Sequence, residues 1–176
     1  MVRRYRLLFA AIALLAVPSF SLAQSPAPAK SIDAERFYSG RWLEIARLPL
    51  RLTDGCVAGA TAYSRLPDGQ VAVRDSCRDK TPDGKEKVIS GRGRILDPGA
   101  NAKLRVRYPF FITWDYWVLD VADDYSWFIS ADPKFDKLWI YTRNAPSRSE
   151  LDSLVARVKA LGYDARRLEF PEPLKD

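Results

Sequence analysis

The chain has 176 residues, of which 47% are hydrophobic, with two cysteines, no histidine and a formal charge of +6. Without histidine the usual general base and the commonest metal ligand are missing, and no cofactor or metal is called for. The charge, which falls to +3 once Arg3, Arg4 and Arg6 are set aside, is too modest to argue for a nucleic-acid partner.

Those three arginines precede an apolar run from Leu7 to Val17, Pro18 breaks it, and Ser21-Leu22-Ala23 supplies small residues for cleavage. This is the pattern of a secretory signal peptide over residues 1–23. A membrane-spanning helix is the competing reading, but eleven apolar residues fall short of the roughly 20 needed to cross a bilayer. Cleavage would leave 153 residues, a suitable size for one domain with one core. Gln24 would begin the mature chain, and no cysteine lies near it to carry a lipid, so a periplasmic or secreted location is expected. Residues 24–30, Gln-Ser-Pro-Ala-Pro-Ala-Lys, have the composition of a flexible leader, and the folded domain is expected over 31–176.

Asp33 to Tyr38 can form one helical turn. After it come eight short β-type runs: Trp42 to Leu48, Cys56 to Ser64, Gln70 to Arg78, Lys87 to Leu96, Lys103 to Tyr108, Asp115 to Val121, Tyr125 to Ser130 and Lys137 to Arg143. Tight-turn compositions at Pro67, Asp97 and Ala122 join several of them. Neighbouring antiparallel strands with short connections predict an all-β fold, an eight-stranded up-and-down barrel that can hold one small ligand inside. Cys56 and Cys77, twenty residues apart, predict one disulfide in an oxidising compartment; a reactive thiol, the alternative, needs a neighbour to lower its pKa. Beyond the strands, Ser147 and Glu150 form a capping box. Leu151, Leu154, Val155, Val158 and Leu161 then share one face of a helix ended by Gly162, which needs the outside of the barrel to lie on. Leu168-Glu169-Phe170 offers a last short strand.

With this much read, the sequence resembles the lipocalins. Gly40-Arg41-Trp42, within Tyr38 to Arg47, looks like the family signature at the first strand; Asp124-Tyr125 is similar to the second signature, in the turn before the seventh; Arg143 is similar to the third, ending the eighth. The longer stretches Trp-Leu-Glu-Ile-Ala-Arg-Leu-Pro, Asp-Tyr-Trp-Val-Leu-Asp and Leu-Trp-Ile-Tyr-Thr-Arg-Asn-Ala-Pro resemble bacterial lipocalins, including outer-membrane ones, and apolipoprotein D. The resemblance spans about residues 31–171 and departs from the bacterial lipoproteins of the family in lacking the lipid-bearing cysteine. It implies that Trp42 and Arg143 meet at the closed end of the barrel, where the guanidinium stacks on the indole.

The resemblance also implies a lining. Positions matching the apolipoprotein D pocket are Tyr63, Val73, Asp75, Tyr108, Tyr116, Trp139 and Tyr141, and strand parity adds Leu104, Val106 and Val118 to the ligand-binding set. If Trp42 points inward, the same parity turns Glu44, Ala46 and Leu48 inward. Small residues on presumed inner faces (Ala46, Gly59, and Gly91 and Gly93 if that strand's parity allows) favour an open cavity over a filled one. Asp75 and Glu44 either fix a ligand's polar end or sit in water. At the expected rim, Phe110, Phe111 and Ile112, with Lys80, Lys85 and Lys87 nearby, suit either peripheral contact with a membrane surface or a lid over the cavity.

The implied function is binding, and transport or storage, of a small lipophilic ligand such as a fatty acid or lysophospholipid, without catalysis. A lipocalin-type enzyme would have to use Cys77, Asp75 or Glu44. A barrel with a filled interior would instead serve as a protein-interaction surface.

Overall fold

The computed structural model describes residues 26–28 and 30–174; the segment 1–23, expected to be a signal peptide, and part of the expected leader lie outside them. Eight antiparallel strands close a single barrel in chain order: β1 (Gly40–Arg47), β2 (Cys56–Arg65), β3 (Val71–Asp79), β4 (Glu86–Ile95), β5 (Lys103–Arg107), β6 (Thr113–Val121), β7 (Trp127–Ala131) and β8 (Leu138–Thr142). β1 pairs with both β2 and β8, so no strand edge is left along the barrel. Each strand end lies within two residues of its expected position. The largest shifts are at β1, which starts at Gly40, at β6, which starts at Thr113, and at β7, which starts at Trp127.

One short helix, α1 (Ala34–Phe37), precedes the barrel, capped by the Asp33 carboxylate, which accepts from the N–H groups of Glu35 and Arg36. The longer α2 (Arg148–Ala160) carries the expected capping box, with Ser147 and Glu150 satisfying each other's backbone N–H groups. Leu154 and Val158 are its buried residues. They pack on the outward faces of β1, β6, β7 and β8 through Ala46, Leu119, Ile129, Ala131, Leu138 and Ile140. The predicted last strand is a single bridge, Arg47 to Glu169, with both backbone hydrogen bonds made.

The barrel has two cores because of that helix: an inner one from the inward faces of the strands and α1, and an outer one between the wall and α2. Ala46 and Leu48, expected inside, belong to the outer one. The register of β1 against β8 slips between Glu44 and Ala46, so Glu44 faces Tyr141 while Arg47 faces Trp139. One extra residue on β1, at Ile45, reverses the alternation for the rest of the strand. A second slip, between Val118 and Asp120, does the same on β6. Val118 and Val121 therefore both point inward, and Leu119 lies under α2.

The closed end is built on Trp42, which is fully buried. Arg143 lies over its indole with the guanidinium carbon 3.4 Å from the ring centroid, and donates to the carbonyls of Ser39 and Arg41 at 2.8 and 3.0 Å. Gly40 has φ +67°, the left-handed region that favours glycine, while a Cβ there would meet Arg143 Nη1 at 3.4 Å, close to an ordinary van der Waals contact. Phe37, Phe128 and Tyr63 pack around this stack. In the turn before β7, Asp124 accepts from the Ser126 N–H, while the Tyr125 hydroxyl accepts from the Asp33 N–H at 2.8 Å. The second signature thus ties α1 down onto the floor. Lys30, assigned to the leader, is also held there: it donates to the Val121 carbonyl and pairs with Asp123 at 2.8 Å.

Candidate ligand-binding site

Above the filled floor, the upper half of the barrel holds free space. Loops 48–55, 80–85, 108–112 and 132–137 all fall at the end opposite Trp42, as alternation of the connections requires. Beneath them opens a cavity of about 280 Å³. Of the residues expected to bind a ligand, Tyr63, Val73, Asp75, Tyr108, Tyr116, Trp139 and Tyr141 line it. Leu104, Val106 and Val118 point inward but are packed in the core below and do not reach it.

Gly91 and Gly93 explain why the lower half is solid. A Cβ at Gly91 would lie 2.7 Å from Val106 Cγ1 and 2.8 Å from the Arg107 carbonyl; at Gly93 it would lie 2.9 Å from Leu104 Cδ1. The missing side chains are replaced by those of β5 leaning across from the neighbouring strand. Small residues here mark close packing rather than open space, contrary to the expectation. Gly59 does border the cavity, facing the Glu44 side chain.

Several lining residues escaped the sequence reading. Trp114 stands two residues before Tyr116, opposite Val106, and period two from Tyr116 identifies it once β6 is known to begin at Thr113. Together Trp114, Tyr116 and Trp139 form one aromatic wall, with ring centroids 5.4–6.1 Å apart. Ile89 faces Asp75 across β3 and β4. Ile112 also lines the cavity. Arg47 had no sequence signal, because only the bulge turns it inward.

Two carboxylates sit in this cavity. Asp75 Oδ2 accepts from the Tyr108 hydroxyl at 2.6 Å, and the oxygens of Tyr108 and Tyr116 are 3.1 Å apart. With its proton committed to Asp75, Tyr108 accepts from Tyr116, which gives a chain of hydrogen bonds running from the aromatic wall to the carboxylate. Burial pushes the Asp75 carboxyl above the usual carboxylate range, with the hydroxyls of Thr61 and Tyr108 pulling the other way. Glu44 is likewise raised by burial, against the attraction of Arg47, whose Nη1 donates to it at 2.6 Å. Arg47 also donates to the carbonyls of Thr53 and Cys56. Burial raises the phenols of Tyr63, Tyr108, Tyr116 and Tyr141 as well, so they act as neutral hydrogen-bonding groups.

Cys56 and Cys77 form a disulfide on the wall near the mouth, with Cα atoms 5.5 Å apart, and loop closure of this length is worth roughly 3 kcal/mol. Phe110 and Phe111 are 87% and 104% exposed at the rim. Neither folds over the cavity, so the lid reading fails for both, whereas Ile112, grouped with them as a membrane-facing residue, points inward.

A family model described as a lipocalin-like domain matches residues 32–173. Among curated proteins, the chain is 35% identical to temperature-induced lipocalin-1 of Arabidopsis thaliana over 150 residues, which cover 79% of this chain and 78% of that one. It is 27% identical over 138 residues to the outer membrane lipoprotein Blc of Vibrio cholerae, covering 76% and 78%. Among solved structures, insecticyanin of the tobacco hornworm Manduca sexta superposes with a TM-score of 0.65 at 18% identity, covering 89% of this chain and 87% of that one.

Proposed function

Because the chain belongs to the lipocalin family, whose members typically bind small hydrophobic ligands, we propose that it holds one single-chain amphiphile in its cavity, for transport or storage. The observation that carries this reading is the site itself: about 280 Å³ open to one end, walled by Trp114, Tyr116 and Trp139, with a polar point at Asp75. Ligand pockets run from roughly 300 to 1,000 Å³, and this one, at about 280 Å³, falls just below that range. A single alkyl chain suits it better than a two-chain lipid. A filled barrel acting only as an interaction surface lacks its premise. An enzyme is disfavoured because both cysteines are bridged and the sequence has no histidine.

Two tryptophans in the wall make binding readable by their own fluorescence. Titration of delipidated protein with long-chain alcohols, fatty acids and lysophospholipids is expected to give saturable one-to-one quenching. Tyr116→Arg, which puts a long cation into the cavity and removes one ring of the wall, is expected to weaken it by about tenfold or more, the equivalent of ~1.4 kcal/mol or more. A folded protein that quenches with no member of the panel overturns the reading.

We also propose that the rim touches a lipid bilayer. Phe110 and Phe111 project from the mouth, Leu52 beside it is 64% exposed, and apolar tips of this kind are rare on a surface without a partner. Arg51, Lys80 and Lys85 share these loops with Asp54 and Asp83, and Lys87 is paired with Asp79 at 2.7 Å. Insertion of the phenylalanines therefore leads, with lipid charge secondary. Cosedimentation with phosphatidylcholine and phosphatidylglycerol vesicles is expected for the native protein and lost for Phe110→Ser/Phe111→Ser; retention by the double variant removes the idea.

A periplasmic or secreted location belongs to the same reading. The disulfide supports it, as does the amino-terminal sequence pattern.

A further inference from the structure

The identity of the ligand's polar end follows from which charges the cavity presents. Two carboxylates, Glu44 and Asp75, face it. Of the two cations in its lining, Arg47 is already spent: it contacts Glu44 at 2.6 Å, Glu169 at 3.3 Å and two backbone carbonyls. Lys87, at the mouth, is engaged by Asp79. Asp75 has no cationic partner among the described residues; it accepts a hydrogen bond from the Tyr108 hydroxyl. Beside it, through the contact of Tyr108 with Tyr116, stands the aromatic wall of Trp114, Tyr116 and Trp139.

We propose that this cavity selects a single-chain amphiphile whose polar end is a cationic ammonium, held between the faces of Trp114, Tyr116 and Trp139 and the carboxylate of Asp75. The inference rests on the ligand-binding reading above and narrows it. An ammonium over aromatic faces is attracted by their quadrupoles, most strongly where water is excluded. A buried carboxylate without an ionic partner gains one when the ligand arrives, and an ammonium repays part of the desolvation it causes. A fatty-acid carboxylate at the same place would face Asp75 and Glu44 with no free cation to receive it.

Protonation gives the proposal a second handle. The groups facing Asp75 are the phenols of Tyr63, Tyr108, Tyr116 and Tyr141, the Thr61 hydroxyl and the Glu44 carboxyl, with Arg47 beyond Glu44. The phenols stay neutral, so the titrating pair is Asp75 and Glu44. Protonating Asp75 removes the charge the ammonium needs. Affinity for a permanently charged ligand must then fall as the pH is lowered through the range in which Asp75 takes up its proton, and affinity for a neutral ligand must not.

The test compares dodecyltrimethylammonium, dodecanol and dodecanoate, each below its micelle concentration, on the delipidated protein, with near-ultraviolet circular dichroism confirming the fold throughout. At neutral pH the ammonium is expected to bind about tenfold or more tighter than the alcohol, ~1.4 kcal/mol, with dodecanoate weakest. Asp75→Asn keeps an acceptor for Tyr108 and is expected to remove most of that advantage, read as the ratio of ammonium to alcohol affinity measured on the variant itself. Should the variant not fold, the pH dependence of the native protein decides between the same outcomes. Dodecanol binding with dodecanoate as tight as the ammonium, or an ammonium affinity that ignores both pH and Asp75→Asn, overturns the cationic preference alone. Failure of all three ligands to bind overturns the cavity reading along with it.

Discussion

Trp42→Ala is expected to lower the unfolding free energy by about 3–5 kcal/mol, the range for deleting a buried large aromatic, seen in urea as a large fall in midpoint with little change in slope. Trp42 is wholly buried, and what it touches makes the upper half of that range the better figure. Phe128 meets it edge-on with centroids 4.7 Å apart, Phe37 lies at 5.5 Å, and its indole N–H donates to the Phe37 carbonyl. Truncation empties the centre of the floor and also takes the aromatic face from under Arg143. Trp42→Phe keeps an apolar ring and is expected to recover about half of the loss. Trp42 does not line the cavity, so Trp42→Ala protein assayed well below its unfolding midpoint is expected to keep its affinity for dodecanol. A loss under about 1 kcal/mol, a typical surface-like effect, would mean that the floor does not depend on this residue.

Arg47→Met carries the second large effect, and it has a pH signature. The guanidinium pairs with buried Glu44 at 2.6 Å; removing one partner of a buried pair typically costs 3–5 kcal/mol, about what is expected here, because the other charge is stranded. Burial already holds Glu44 above its ordinary pKa, with Arg47 opposing the rise, so without Arg47 it climbs further. A carboxyl whose folded pKa exceeds its unfolded one binds more protons when folded, and stability then falls as the pH rises. The variant should therefore be least impaired below the ordinary glutamate pKa and lose stability as the pH rises through the raised folded value. Unfolding midpoints across a pH series check this. Adding Glu44→Gln to Arg47→Met removes the stranded charge and should flatten the profile. A pH-independent loss in Arg47→Met alone would assign the effect to packing instead.

Arg47 also marks where the sequence stopped being informative. Strand number, order and ends were legible because period-two runs and turn residues repeat along the whole chain, and α2 was legible from its capping box. Seven of the residues that line the cavity followed from the resemblance to known lipocalin pockets. Parity then carried assignments correctly only until a bulge. From Trp42 it placed Glu44 inside, but past Ile45 it sent Ala46 and Leu48 to the wrong core and hid Arg47. A bulge leaves no residue-type signature here, since it is fixed by how β1 meets β8, a partner far along the chain. Gly91 and Gly93 misled for a related reason. Whether a missing side chain leaves space or admits a neighbour depends on Leu104, Val106 and Tyr108 on the next strand, which no local pattern reports. Trp114 was missed more simply, by ending a loop two residues too late.

The pairing of β1 with β8 has a consequence for how the molecule is made. Leu43 finds its partner in Thr142, so the first strand to emerge during synthesis waits for almost the last. Contacts of such long sequence separation come late and slowly in folding. Until Leu138–Thr142 arrives, the growing sheet has two open borders, β1 on one side and the newest strand on the other, each carrying unpaired backbone groups that recruit stray strands. The seam that shields the finished barrel from association is thus the one left unsewn longest in the nascent chain, and a folding helper would serve this protein best by covering Gly40–Arg47.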